Sequence, residues 1–169
     1  RWAVQQTKTP PHWYGLKFFN VYGPGEAHKG PQASVVFKSF HQIRERGFIE
    51  LFKSYKPEYG DGQQQRDFIY VKEVTGWMWE LTQKKPKSDL YNMGTGHARS
   101  WVDLGSAVFK AMQKPENIKF IEMPESLRDQ YQYFTEAKME KWTERGMTPS
   151  KWSLEDGARD TVDQLLRGN

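Results

Sequence analysis

The sequence predicts an α/β fold, and three observations carry that reading. An apolar run ending in Asn20-Val21-Tyr22-Gly23-Pro24 has the form of a buried strand that breaks into a turn at its C-terminal end. Further short strand-like runs alternate with stretches of helical periodicity along the rest of the chain. Several of these runs end in glycine-containing turns, and ligands of open α/β sheets gather at such strand ends. At 169 residues the chain suits one domain with a real core.

Arg1 to Gln6 has helical composition and stops before Thr9-Pro10-Pro11, so the chain is expected to begin at the end of a helix. Tyr14 to Tyr22 reads as the first strand, closed by Gly23-Pro24-Gly25, with a loop running on to Gly30. Val35 to Arg46 puts Val35, Val36, Ser39, Phe40 and Ile43 on one helical face and stops at Gly47, a residue suited to a left-handed C-terminal cap. Ile49 to Tyr55 is a second strand, Lys56 to Gln65 a polar loop, and Asp67 to Val71 a third strand.

Lys72 to Lys84 reads as a Trp-rich helix stopped by Pro86, and Leu90 to Met93 as a brief strand. Ser100 to Gln113 is helical, with Ser100 as N-cap and Asp103 three residues on in an imperfect capping box. Lys119 to Met123 is expected as a strand, Thr135 to Arg145 as a helix capped by Thr135, and Ser153 to Arg167 as the C-terminal helix. Gly94-Thr95-Gly96 resembles the start of a dinucleotide fingerprint, but Arg99 replaces the third glycine, and a simple strand-to-helix turn is the better reading.

Composition narrows the function classes. Cysteine is absent, which removes disulfides and thiol chemistry, and four scattered histidines have no metal-ligand spacing. The net charge of +4 favours anionic partners such as phosphates without requiring nucleic acid. No apolar stretch approaches the roughly 20 residues of a membrane span, and a soluble, cytoplasmic protein with no membrane or nucleic-acid partner is expected. Mean hydropathy is −0.87, yet aromatic residues reach 15%, so aromatic side chains should supply much of the core. Trp77, Trp79, Trp101, Trp142 and Trp152 are assigned to core and interface packing.

The order Phe19-Asn20-Val21-Tyr22-Gly23-Pro24, then Arg66-Asp67-Phe68-Ile69-Tyr70-Val71, then Tyr91-Asn92-Met93-Gly94-Thr95-Gly96 resembles the C-terminal half of extended short-chain dehydrogenase/reductases acting on nucleotide sugars. The Gly25-Glu26-Ala27-His28-Lys29-Gly30 segment and Arg128-Asp129-Gln130-Tyr131-Gln132-Tyr133-Phe134-Thr135 are similar to the ADP-L-glycero-D-manno-heptose 6-epimerases among them. That family carries an N-terminal Rossmann domain with a glycine-rich loop and a Tyr-x-x-x-Lys pair, neither of which occurs in this sequence. The resemblance therefore implies that residues 1–169 are the C-terminal substrate-binding portion, plus a few strands returned to a mostly absent Rossmann sheet. It further implies an NADP cofactor bound mainly by the missing domain, an ADP-sugar (ADP-heptose) substrate, a homo-oligomer and no activity in the isolated chain. Strands left without that sheet are expected to expose an edge or face.

The resemblance also implies roles for particular residues. Lys29 matches a catalytic base that also meets the cofactor, a role that suits lysine when burial or neighbouring charge lowers its proton affinity. An exposed loop lysine between two glycines stands as the alternative. Arg66 matches an arginine gripping the nucleotide diphosphate, a task for a bidentate guanidinium, against the alternative of a surface pair with Asp67. Phe52, Lys53, Ser54 and Tyr55 match the stretch lining the nucleotide, where either ring could stack on a base or belong to the core.

Asn20 and Tyr131 match substrate-contacting positions, with a turn former and a packing tyrosine as their alternatives. Val21 matches a cofactor contact through its backbone. Lys38 stands at a substrate-contacting helix position that is more often histidine, and Pro31 replaces a small hydroxyl residue. Rival readings are another nucleotide-sugar epimerase or dehydratase and, from a different class, a basic module stacking nucleic-acid bases on its aromatics.

Overall fold

A computed structural model describes residues 5–168, so the helix end expected over Arg1 to Gln6 lies mostly outside the described residues. The elements run β1 (Tyr14–Phe18), β2 (Asn20–Tyr22), a 3-10 segment (Ala27–Gln32), α1 (Val35–Arg46), β3 (Ile49–Phe52), β4 (Gln65–Tyr70) and α2 (Val71–Lys84). They continue with β5 (Asp89–Met93), β6 (Ala98–Ser100), α3 (Trp101–Ala111), β7 (Ile118–Ile121), α4 (Glu125–Arg128), β8 (Phe134–Thr135), α5 (Glu140–Glu144) and α6 (Leu154–Leu166). This is the expected α/β class.

Strand β4 is the hub. Its C-terminal half pairs in parallel with β2, from Asn20 opposite Phe68 to Tyr22 opposite Tyr70. Its N-terminal half pairs antiparallel with β6 and in parallel with β8, which places Arg66 opposite both Arg99 and Thr135. Two parallel ribbons flank this hub: β1 with β5, and β3 with β7, the latter setting Phe52 opposite Ile121. On the β1–β5 ribbon Phe18 and Leu90 are 50% and 56% exposed, and the register places them on opposite faces.

Helices α1, α3 and α6 bury their apolar stripes against β2, β3 and β4 in one core built on Val36, Phe40, Ile43, Leu104, Val108 and Val162. Burying each such side chain fully is worth about 1.5–3 kcal/mol. Ser34 caps α1 by accepting from the Phe37 N–H at 3.2 Å, and Gly47 ends it at φ 74°, a left-handed conformation that costs glycine little. On α3 the Ser100 and Asp103 capping box is complete. Gly157 lets α6 press against β2, because a Cβ there would stand 2.2 Å from the Tyr22 hydroxyl oxygen. A second core under α2 holds Trp77 and Trp142 with ring centres 4.8 Å apart. Trp79, in contrast, is 67% exposed.

The structure corrects four boundaries. The strand expected over Tyr14 to Tyr22 divides at Phe19, whose N–H bonds Met93 O at 3.1 Å while its carbonyl accepts from Val21 N at 2.9 Å. The chain thereby passes from its β5 partner to its β4 partner. The strand expected to reach Tyr55 stops at Phe52, because the Ser54 N–H turns to the Asp61 carboxylate at 2.8 Å. Gly94-Thr95-Gly96 is a turn as expected, but it leads into β6 before α3 starts.

The helix expected from Thr135 is not formed there. Thr135 lies in β8, the Ala137 N–H donates to Asp67 Oδ2 at 3.0 Å, and helix returns only at Glu140–Glu144. Thr135 is therefore not an N-cap.

Candidate functional site

Successive residues of a strand point to opposite faces, and β4 uses this at Arg66 and Asp67. Asp67 is fully buried and accepts from Thr95 N and Thr95 Oγ1, both at 2.7 Å, from Gly96 N at 2.9 Å and from Ala137 N at 3.0 Å. It is the anchor of the Gly94–Gly96 turn and of the segment after β8, and it forms no surface pair with Arg66. Because Asp67 consumes the Thr95 and Gly96 N–H groups, that turn offers no cradle for dinucleotide phosphates.

Arg66 emerges on the other face. Its guanidinium carbon lies 5.8 Å from the Trp101 ring centre and 5.2 Å from that of Tyr131, and Nη1 donates to Gln65 O at 2.8 Å. No carboxylate among the described residues lies within ion-pair distance of it. Burial lowers its proton affinity from the usual arginine value, with Tyr131 acting in the opposite sense. A half-buried cation on two aromatic rings and without a counter-ion is a ready anion receptor. Tyr131 is fixed in turn by the Trp101 Nε1–H, which donates to its hydroxyl at 3.0 Å, and burial pushes that phenol up from its usual range.

Two adjoining clefts meet at Val35 and Trp101. One, of about 300 Å³, is lined by Asn20, Val21 and Lys29 together with Glu26, Ser34 and Phe68. The other, an apolar slot of about 160 Å³, is lined by Phe52, Tyr131, Leu51 and Glu50. Sequence-expected residues are thus brought together in two groups, Asn20, Val21 and Lys29 on one side and Phe52 and Tyr131 on the other. Arg66 packs on the Trp101 and Tyr131 rings between them. A larger cleft of about 560 Å³ lies elsewhere, over the β1–β5 ribbon, and holds none of these residues.

In the first cleft the Asn20 side-chain amide donates to Asp67 O at 3.2 Å, tying the end of β2 to the hub strand. Lys29 donates to Glu26 Oε1 at 3.0 Å. Glu26 is buried despite its charge because its other oxygen accepts from both the N–H and the hydroxyl of Ser34. Ser34 caps α1, so Glu26, Ser34 and the helix start hold the lysine loop as one unit.

The remaining candidates line neither cleft. Lys38 donates from α1 to Pro31 O and braces the same loop. Lys53 pairs with Glu122 at 2.7 Å, Ser54 turns to Asp61, and Tyr55 donates its hydroxyl to Glu122 beneath the Arg128 guanidinium, whose carbon is 3.9 Å from the ring centre. Sequence reasoning missed Glu26, Gln64, Trp101 and Glu122 as parts of this region. Only Glu26 carried a local signal, an acid three residues before Lys29.

ADP-L-glycero-D-manno-heptose-6-epimerase of Fusobacterium nucleatum is 50% identical over 98% of this chain and 52% of its own length. The enzyme of the same name from Nitratidesulfovibrio vulgaris (strain DP4) is 50% identical over 89% of this chain and 47% of its own. The chain thus spans about half the length of these curated relatives. The solved structure of Helicobacter pylori ADP-L-glycero-D-manno-heptose-6-epimerase superposes with TM-score 0.72 at 27% identity, over 92% of this chain and 44% of that one.

UDP-N-acetylglucosamine 4-epimerase from Methanobrevibacter ruminantium shares the fold with TM-score 0.76 at 22% identity, over 94% of this chain and 47% of its own. The family model described as the NAD dependent epimerase/dehydratase family matches residues 5–94, more than half of the sequence, and the chain belongs to that family.

Proposed function

We propose that this chain is the substrate-binding, C-terminal portion of an NADP-dependent ADP-L-glycero-D-manno-heptose 6-epimerase. Such an isomerase inverts C6 of the heptose by transient oxidation and re-reduction, in the making of lipopolysaccharide precursors. The observation that carries the reading is Arg66, a half-buried guanidinium with no carboxylate partner among the described residues, set on Trp101 and Tyr131 beside the Lys29 cleft. About 50% identity to relatives bearing that enzyme's name supports the choice of substrate.

In this reading Arg66 grips the diphosphate of the ADP-sugar in a fork of charge-assisted hydrogen bonds. Phe52, Lys53, Ser54 and Tyr55 wall the nucleotide, and Tyr131 and Asn20 orient the sugar. Lys38 keeps the lysine loop at the sugar's edge by bracing Pro31. Lys29 Nζ exchanges a proton with the oxygen at C6 on one face of that carbon. A nicotinamide dinucleotide, when bound, supplies removal and return of hydride at that carbon. The Gly94–Gly96 turn offers it no phosphate cradle, because Asp67 takes the Thr95 and Gly96 N–H groups.

Conversion of ADP-heptose by the enzyme bearing this sequence tests the reading. Lys29→Ala should lower turnover about 100-fold or more while ADP still binds. Unchanged turnover would contradict the role of Lys29, and preferential turnover of a UDP-hexose would contradict the heptose assignment.

A further inference from the structure

Gln64 is fully buried immediately before β4. Its Nε2 donates to the carbonyls of Phe52 at 3.4 Å and Lys53 at 3.2 Å, where β3 ends. Its own carbonyl accepts from Trp101 N at 3.2 Å, and the next residue but one is Arg66. The Oε1 atom has no hydrogen-bond partner among the described residues. A core position that needed only packing would not keep an amide with one orphaned oxygen, since burying an unpaired polar atom costs free energy. The amide is kept for what its nitrogen holds.

On the outer side of the same segment Glu122 receives Lys53 Nζ at 2.7 Å and the Tyr55 hydroxyl. The backbone follows the same course, with Lys53 N bonded to Ile121 O at 2.9 Å and Tyr55 N to the Tyr133 hydroxyl at 2.9 Å. Phe52 is the last residue paired in the β3–β7 ladder, and residues 53–55 run on beyond it without strand pairing. Arg66 makes none of these bonds, and the β4 ladders with β6 and β8 set its backbone.

We infer that Gln64 from within and Glu122 from without are positioning residues that clamp the Phe52–Tyr55 segment into a rigid wall for the base and ribose of the nucleotide, separately from the Arg66 grip on its phosphates. The inference rests on the nucleotide-sugar reading of this site and adds the residues that shape its specificity. A clamped wall is pre-organised, so the nucleotide does not have to order the loop on binding.

The test is calorimetric titration of the full-length enzyme bearing this sequence with two probes, ADP and inorganic pyrophosphate. Gln64→Met, which keeps length and removes the donor, should weaken ADP binding about tenfold, and Glu122→Ala about threefold. Pyrophosphate affinity should stay within a factor of about two in both variants, as only the wall is loosened. ADP affinity unchanged in both variants overturns the clamp, as does an equal loss for ADP and pyrophosphate, which marks a general structural effect.

If Gln64→Met does not fold, the exposed substitution Glu122→Ala decides by itself, and an unaltered ADP affinity there overturns the proposal. Absence of ADP binding by the unsubstituted enzyme overturns the underlying site reading, an outcome distinct from failure of the clamp alone.

Discussion

The Arg66 guanidinium carbon stands 5.2 Å from the centre of the Tyr131 ring, and the two residues reach that contact from positions 65 apart in sequence. Trp101 completes the arrangement by packing on Arg66 and donating to the Tyr131 hydroxyl. The aromatic pair shields a cation that no carboxylate among the described residues neutralises. Tyr131→Phe should therefore keep the ring contact and lose only the Trp101 bond, whereas Tyr131→Ala exposes the guanidinium to water. Thermal unfolding of the two variants should show the alanine chain about 1–3 kcal/mol less stable than the phenylalanine one.

Removal of the Asp67 carboxylate should be among the most damaging single changes. Four donors from three residues converge on it in a fully buried place. Asp67→Asn turns an amide N–H toward some of those donors and should cost roughly 2–4 kcal/mol. Urea unfolding at neutral pH measures this, and an asparagine variant within 0.5 kcal/mol of the parent, about the scatter of neutral surface changes, would refute the anchor role.

The lysine loop yields a graded expectation. Glu26 holds Lys29 with one oxygen and Ser34 with the other. Glu26→Ala should destabilise by about 1–3 kcal/mol, and Glu26→Gln by less because an acceptor for Ser34 survives. Hydrogen exchange at the Ser34 amide should quicken in the order parent, glutamine, alanine.

Acid should release one brace of α6. The hydrogen bond from Arg99 to Glu155, at 2.8 Å, holds that carboxyl below its usual range against the opposing effect of burial. For Asp103, burial raises the proton affinity, but hydrogen bonds from Ser100 and Arg99 outweigh it and the net shift is downward. A carboxyl depressed on folding contributes stability that is present above its unfolded pKa near 4 and is lost as pH falls through the lower folded value. Both side chains are 42% exposed, so the pair is worth within about 1 kcal/mol after solvent screening. Arg99→Met should cost that amount at pH 7 and close to nothing near pH 2, as read from urea midpoints at the two pH values.

What the sequence made legible was local. Helix α1 carries its apolar period, its serine cap and its terminal glycine within 14 consecutive residues, Ser34 to Gly47, and forms where expected. The segment after Tyr133 was misread because Glu136-Ala137-Lys138-Met139-Glu140 favours helix by propensity. Its actual course is set by β8 pairing with Arg66 and by a bond from Ala137 to Asp67, 70 residues away.

The site divides in the same way. Motif resemblance singled out Asn20, Lys29 and Tyr131, which the fold brings to two adjoining clefts, and Arg66, which packs on the Trp101 and Tyr131 rings. Gln64 and Glu122 left no trace in local pattern, because what they hold is a segment 11 to 12 residues away in one case and 67 to 69 in the other.

The most direct test of the account is calorimetric titration of ADP into this chain and into Arg66→Met, with UDP as the comparison. Saturable ADP binding is expected, weakened by tenfold or more in Arg66→Met, with UDP bound less tightly than ADP. Absence of saturable ADP binding, or an affinity that Arg66→Met leaves unchanged, would contradict it.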